Sequence, residues 1–316
     1  MEKPTYISGV SGEYYEPTTI AEMGEMIGKV ALSVIWDNTA ENHLSDFDKG
    51  FIENGDTIEQ SVSIMAESLP YDKDGTDALK RENSEKFEVL YFKDWNRVKF
   101  KKTVDIPEIR KVLTKDKTAA DVAAKIVATM TEGDIQEKYE NTRDLFDWAT
   151  DNNYIGKIVT VPYDSVNSSI DYKETLVAMK DGVSGMKFVN AEYNVAGLKR
   201  RTRKEDIRIL IPYALKNRID VEELAGVFNL DKSEIKDKII ETDSVKDNDG
   251  NYRIIITDIH AVLAYTRLYE MIDEKNGDGF FWNYYLHVER MYAFCGLFDS
   301  LCIKVATTAS NEEIGD

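Results

Sequence analysis

Hydrophobic residues recur along this chain with two periods, one typical of helices and one typical of strands. Near the start, apolar residues from Ile20 to Trp36 follow the helical period, so a helix is predicted there, after an N-terminal arm. Residues 57–65 and 86–92 alternate apolar and polar positions and flank a charged tract at 66–85. This pattern predicts a long hairpin with a polar tip. Such a tract is long for a compact domain, so we expect a neighbouring chain to order it.

Three amphipathic helices with N-terminal capping residues are predicted further along. The first follows Thr118 and is predicted to stop at Gly133. The second starts at Asp134 and is predicted to end at residues 151–153, and the third starts at Asp220.

The second half of the chain alternates strand-like and helix-like segments. The turn signal at residues 247–250, Asp-Asn-Asp-Gly, predicts a hairpin between the strands on either side of it. The almost continuously apolar tail at 280–305 predicts two buried strands with a break at 296–300. The other predicted elements are strands at 157–163, 206–211, 239–242 and 252–257 and a helix at 171–186.

Composition and charge narrow the classes of function. A chain that is 42% hydrophobic and 31% charged is expected to fold. The formal net charge of -18 argues against a protein whose main task is to grip phosphate backbones. No segment has the length and apolarity of a membrane span or a signal peptide, so we expect folding in the cytoplasm and no membrane partner. Cys295 and Cys302 are expected to be buried free thiols.

Candidate chemistry is sparse. The three histidines are His43, His260 and His287, and none has a partner at the spacing of a metal site. No nucleophile, phosphate-binding or dinucleotide-binding motif occurs. We therefore predict no catalytic, cofactor-binding or metal-binding residues, no cofactor and no enzyme activity. A metal-dependent hydrolase built from scattered Asp, Glu and His remains the alternative from another class.

Two basic clusters stand out in this acidic chain. A charge cluster alone is weak evidence for a function. These residues are explained equally well as a solvated face or as a contact with a neighbouring copy or with DNA. The residues with this possible contact role are Arg97, Lys99, Lys101, Lys199, Arg200, Arg201 and Arg203.

The aromatic tail carries a family resemblance. The run at 281–288, Phe-Trp-Asn-Tyr-Tyr-Leu-His-Val, resembles a segment near the end of the capsid domain in phi29-like major capsid (head) proteins of tailed bacteriophages. The apolar segment 207–211, the helical segment 219–230 and the Phe-Asp-Ser-Leu turn at 298–301 are similar to that family in the same order. Glu289 and Arg290 stand where the family has Trp-Gln, so a partner on that strand is expected to differ.

The resemblance implies an α+β fold of the HK97 type, with an N-terminal arm, an extended loop, a peripheral domain with a spine helix, and an axial domain. Proteins of that family continue into an immunoglobulin-like domain, whereas this sequence ends at Asp316, soon after the last predicted strand, so we expect no such domain here. The implied boundaries are the arm and entry to the peripheral domain at 1–51, the extended-loop hairpin at 52–104, the spine-helix part of the peripheral domain at 105–156, the axial domain at 157–276, and the returning peripheral strands at 277–316.

By the same resemblance, the expected function is self-assembly into hexamers and pentamers of an icosahedral or prolate head that encloses phage dsDNA. The implied partners are other copies of the chain, a portal protein, a scaffolding protein and non-specifically packaged dsDNA. The implied location is the virion capsid, assembled in the cytoplasm of the bacterial host. An encapsulin-type compartment and a monomeric binding module remain the alternatives.

Overall fold

The computed structural model describes most of the chain after residue 39. The described residues are 40–53, 55–66, 68, 71, 73–75, 87–105, 119–164, 169–217, 219, 238–243, 247 and 250–307, of which 119–127, 164 and 169 are described by their backbone alone. The predicted helices at 20–36 and from Asp220, and most of the predicted hairpin tip, lie outside these residues.

The described elements alternate between strands and a few helices. The helices are α1 (Ala119–Asp151), α2 (Tyr172–Met186) and the short α3 (Tyr213–Lys216). The strands are β1 (Asp48–Phe51), β2 (Ile58–Ser63), β3 (Phe87–Phe92), β4 (Asn96–Asp105), β5 (Lys157–Val161), β6 (Tyr163–Asp164), β7 (Ser169–Ile170), β8 (Ile207–Pro212), β9 (Ile239–Thr242), β10 (Tyr252–Asp258), β11 (Val262–Asn276), β12 (Phe281–Phe294) and β13 (Ser300–Val305).

The chain divides into two units by its internal contacts. The smaller unit comprises 1–40, 99–134 and 271–286, and the larger comprises 41–98, 135–270 and 287–316. In the smaller unit, Val104 and Met130 are buried, and the hydroxyl of Thr103 donates to the side-chain oxygen of Asn283 over 2.7 Å.

A five-stranded mixed sheet forms the centre of the larger unit. Its order is β5-β13-β10-β8-β9. Strand β10 is antiparallel to β13 and β8, whereas β13 runs parallel to β5 and β8 runs parallel to β9. Its inner strands β8, β10 and β13 are covered on both faces and are each buried at all but one position.

Alternate residues of the inner strands enter different cores. Ile209 and Ile256 pack with Met179 of α2, while Leu210 and Ile255 pack with Phe146 of α1. Helices α1 and α2 therefore cover opposite faces of the five-stranded sheet, as the period of two along each strand requires. The helix predicted at 171–186 is confirmed by α2, and the Asp171 carboxylate caps it by accepting from the Glu174 backbone N–H over 2.9 Å.

Helix α1 corrects the prediction of two helices separated at Gly133. The helix runs without a break from Ala119 to Asp151. A glycine inside a helix lowers the stability of that helix by about 1 kcal/mol relative to alanine. It caps the end of a helix where its backbone adopts a positive φ. Gly133 keeps the helical backbone, and the Phe100 ring lies next to it, 3.6 Å from where a Cβ would stand.

Strands β2 and β3 confirm the hairpin that the alternation predicted. They pair antiparallel from Ile58 opposite Phe92 to Ser63 opposite Phe87. The pair forms a separate two-stranded sheet in the described part of the chain.

The hairpin predicted between β9 and β10 is wrong. Strand β8 lies between them, because β9 pairs in parallel with β8 and β10 pairs antiparallel with the other edge of β8. A turn does occur at the predicted place, where the Gly250 N–H donates to the Asp247 carbonyl over 2.9 Å. Local turn chemistry therefore identified the reversal of the chain but not the partner of each strand.

Strand β11 was missing from the predicted elements. Its first half is buried and pairs in parallel with β1 in the sheet ordered β1-β11-β12-β4. Its second half is exposed and charged, so no apolar alternation marks it. The two strands predicted in the apolar tail are confirmed by β12 and β13.

Candidate assembly surfaces

The two faces of the β2–β3 hairpin differ in their environment. One face carries Ile58, Val62, Leu90 and Phe92, which pack against a buried cluster in the larger unit. The opposite face carries Phe87 and Tyr91, which are 61% and 65% exposed. Large apolar side chains lined up on one strand face with no cover in the described chain are typical of a contact surface.

The base of the hairpin is clamped by one aromatic ring and two ion pairs. The Trp95 indole N–H donates to the Asp56 carbonyl over 2.7 Å, and the Arg267 guanidinium lies 4.7 Å from the Trp95 ring centroid. Arg267 also pairs with Glu289 at 2.9 Å and with Asp56. Hydrogen bonds from Arg267, followed by those from Arg97, lower the pKa of Glu289 despite its burial. The hairpin is therefore held at its base while its outer face stays exposed.

The first predicted basic cluster lies on β4. Arg97, Lys99 and Lys101 are exposed at alternate positions, as the sequence predicted for one strand face. Arg97 pairs with Glu289 at 3.2 Å, and the Lys101 ammonium lies 5.4 Å from the Tyr285 ring centroid. Their role in contacts with another molecule stays a prediction.

The second predicted cluster divides into inward and outward residues. Lys199, Arg201 and Arg203 are exposed, whereas Arg200 turns inward. The Arg200 guanidinium pairs with Asp258 at 3.0 Å, donates to the Leu297 carbonyl at 2.9 Å and lies 4.5 Å from the Phe298 ring centroid. These contacts favour a structural role for Arg200, while the contact role of the other three stays a prediction.

Arg200 belongs to a buried polar network that the sequence analysis did not identify. The Thr202 hydroxyl donates to Asp299 at 2.8 Å, and the Asn194 amide donates to Asp299 at 3.1 Å. Burial raises the pKa of Asp299 above its ordinary value, even though these hydrogen bonds act in the opposite direction. In the sequence, Asp258 and Asp299 are recognisable only as acidic residues at the ends of predicted strands. The sequence does not show that these strands, β10 and β13, are neighbours.

The described residues contain no group of three or more His, Cys, Asp or Glu side chains placed to hold a metal ion. Cys295 and Cys302 are buried and free, as predicted, and burial raises the pKa of Cys302 to about 11. A thiol with so high a pKa is a poor nucleophile near neutral pH. Within the described residues, no helix is both long and apolar enough to cross a bilayer.

Solved phage capsid structures share this architecture. The chain is similar to one in the capsid structure of Staphylococcus phage Andhra, with a TM-score of 0.72, 13% identity, and 94% of this chain and 90% of that one covered. A chain from the capsid structure of cyanophage P-SCSP1u gives a TM-score of 0.62 at 9% identity, covering 89% of this chain and 93% of that one. The fold is therefore that of the HK97-type phage capsid proteins, as predicted.

Sequence comparison assigns the chain to one family within that class. The model of the Phi29-like phage major capsid protein family matches residues 10–303, and the chain belongs to this family. The major capsid protein of Bacillus phage GA-1 is 25% identical over 267 residues, which are 83% of this chain and 56% of that protein. That of Bacillus phage PZA is 23% identical over 270 residues, 83% of this chain and 58% of that protein. The chain thus spans somewhat more than half the length of these relatives.

Proposed function

We propose that copies of this chain assemble into the hexamers and pentamers of an icosahedral or prolate phage head that encloses dsDNA. The observation that carries the proposal is the two-faced β2–β3 hairpin. Phe87 and Tyr91 are exposed on its outer face, while its inner face and base are fixed to the larger unit. A second subunit that covers the outer face would remove this apolar surface from water.

Backbone groups of the hairpin favour the same role. A two-stranded sheet leaves one edge of each strand without a ladder partner in the described residues. Such edges accept further strands from another chain by backbone hydrogen bonding. The hairpin can therefore contribute both an apolar face and a hydrogen-bonding edge to a neighbouring copy.

The domain boundaries follow the family's organisation and belong to this proposal. Residues 52–104 form the extended loop, 105–156 and 277–316 the peripheral domain with its spine helix, and 157–276 the axial domain. Helix α1, from Ala119 to Asp151, lies within 105–156 and is the helix assigned to the spine in this proposal. The five-stranded sheet supplies the rigid body that different ring positions would share.

The remaining partners are a portal protein, a scaffolding protein and packaged dsDNA, in a virion capsid assembled in the host cytoplasm. A net charge of -18 supports a wall along which dsDNA can move without adhering strongly. The exposed cations Lys99 and Lys101 would then make local, non-specific contacts with DNA or with a neighbouring subunit.

The test is a variant that changes both outer-face residues of the hairpin, Phe87→Ser with Tyr91→Ser. Because both side chains are exposed, the unfolding midpoint of the subunit should stay close to that of the wild type. Assembly into shells, scored by negative-stain microscopy and sedimentation, should be lost. Tyr213→Ser is the matched control, since Tyr213 is a 56% exposed aromatic on α3, and it should assemble. Wild-type yields of shells from the double variant would overturn the proposal for the hairpin.

A further inference from the structure

A corner of the larger unit presents apolar and cationic side chains together. It is formed by residues 187–204, which follow α2 and are called here the 187–204 corner. Phe188 is 72% exposed and Val189 is 50% exposed. Lys199, Arg201 and Arg203 are exposed in the returning part of the same corner. A large exposed aromatic beside several cations is a surface suited to a partner that is both apolar and acidic.

The 187–204 corner is held in one shape by its own hydrogen bonds. Asn190 and Arg200 exchange two backbone hydrogen bonds of 3.0 and 3.1 Å. The Asn190 side-chain amide also donates to the Gly185 carbonyl over 2.8 Å, and the Thr202 N–H donates to the Met186 carbonyl over 2.8 Å. The backbone that carries Phe188 and Val189 is therefore held before any partner binds, which lowers the entropic cost of docking.

Positive charge accumulates at this corner despite the acidity of the chain. The buried network draws Arg200 and Thr202 inward, so the residues between and beside them face outward as in an extended strand. In the part of the chain that the structure describes, no carboxylate pairs with the Arg201 or Arg203 guanidinium. Burial lowers the pKa of Lys187, and the nearby Lys204 lowers it further.

A complementary surface exists on the same larger unit. The outward face of α1 carries Glu140, Asp144 and Asp151, which are exposed, and the exposed Trp148 stacks on Tyr154 with ring centroids 5.0 Å apart. Within the same copy, Asp144 pairs with Arg143 at 2.8 Å and Asp151 pairs with Arg253 at 2.6 Å. We call these five residues the acidic–aromatic stripe. It offers apolar rings for Phe188 and Val189, and its carboxylate without an ion pair among the described residues is that of Glu140, which accepts from the Gln136 amide at 2.9 Å.

Duplex DNA fits the 187–204 corner less well. Phosphates could pair with Arg201 and Arg203, but a stacked duplex offers no apolar receptor for Phe188 and Val189. A chain of net charge -18 instead offers acidic surface on every neighbouring copy. Charge and apolarity together therefore favour a second copy as the partner.

We propose that the 187–204 corner of one copy docks on the acidic–aromatic stripe of a second copy. This inference rests on the proposed shell-forming function and adds a second subunit contact to that of the hairpin. The corner continues from α2, and α2 and α1 cover opposite faces of the five-stranded sheet. A contact between different surfaces of identical subunits is heterologous and repeats from one copy to the next, so it can close into a ring.

Photocrosslinking in assembled full-length protein tests this contact. Phe188 is replaced by p-benzoylphenylalanine, and isotopically labelled and unlabelled chains are mixed so that crosslinks between copies are recognised by mass. The expected product joins position 188 of one copy to a peptide containing Trp148 or Tyr154 of another. Particles whose crosslinks go to DNA or to a different protein surface overturn this inference and leave the shell function intact. A chain that stays monomeric contradicts both.

Charge exchange provides an independent readout. Arg201→Glu with Arg203→Glu should weaken association by about tenfold or more, because carboxylates then face carboxylates. Adding Glu140→Lys, which leaves the Arg143–Asp144 pair intact, should restore part of the association. The matched control is Lys173→Glu with Lys180→Glu, which makes the same charge change at exposed positions of α2 and should have a much smaller effect. Equal weakening by the control, or no rescue by the added lysine, would overturn the pairing of these two surfaces.

Discussion

At the residue scale, Arg200 is the side chain whose role differs most from its appearance in sequence. It stands in a run of cations, yet its guanidinium pairs with Asp258 and lies 3.9 Å from Asp299. The side chains of these two acids are only 3% and 2% exposed. Buried carboxylates without a cation are costly, because neither water nor an opposite charge then stabilises them. Arg200 therefore joins the strand ends that carry these two acids.

Replacing Arg200 should destabilise the unassembled subunit strongly. Arg200→Ala leaves Asp258 and Asp299 buried beside each other, and the free energy of unfolding should fall by about 3–5 kcal/mol. Arg201→Ala, at the exposed neighbouring position, should change it by less than about 0.5 kcal/mol. Urea denaturation of both variants measures the difference, and similar effects at the two positions would show that Arg200 is not an internal anchor.

At the scale of elements, the reliable signals were those in which local pattern and burial agree. Helix α2 was predicted to within a residue because one helical period accounts for its buried positions. The helix end predicted at Gly133 was wrong because glycine occurs both at helix ends and where another side chain packs closely. The sequence does not show that Phe100 lies beside Gly133. The β9–β10 pairing failed for a related reason, since a turn constrains only its own residues while sheet order depends on the whole core.

A pair of glycine substitutions tests the continuity of α1. Gly133→Ala should raise the free energy of unfolding by about 0.5–1 kcal/mol, because alanine favours the helix and its Cβ would meet Phe100 at an ordinary contact distance. If the helix instead ended at Gly133 with positive φ, the same change would destabilise the protein. Gly156→Ala is the opposite control, because its Cβ would overlap the backbone carbonyl of Tyr193, and it should destabilise the protein clearly.

The hairpin tip should be dispensable for folding and necessary for assembly. Deleting residues 66–85 leaves Ile64, Met65 and Lys86 to connect Ser63 with Phe87, a loop length that hairpins accommodate. The β2–β3 ladder and its packed inner face remain, so circular dichroism and the unfolding midpoint should be close to those of the wild type. Shells of normal size and yield from this deletion would contradict the role proposed for the tip.

At the scale of the whole molecule, the larger unit combines a rigid body with exposed contact surfaces. The larger unit has a sheet covered on both faces, while the hairpin's outer face, the 187–204 corner and the acidic–aromatic stripe remain exposed on it. A solitary protein has little physical reason to keep several apolar surfaces exposed among its charges. A subunit that meets identical neighbours has such a reason, because each surface is covered in the assembly.

Electron microscopy of the purified full-length protein under assembly conditions tests the central claim most directly. The account predicts closed shells of uniform construction, and image reconstruction should show rings of six and five subunits with the β2–β3 hairpin of each lying against a neighbour. Protein that remains monomeric at high concentration, or shells in which Phe87 and Tyr91 contact no other subunit, would contradict it.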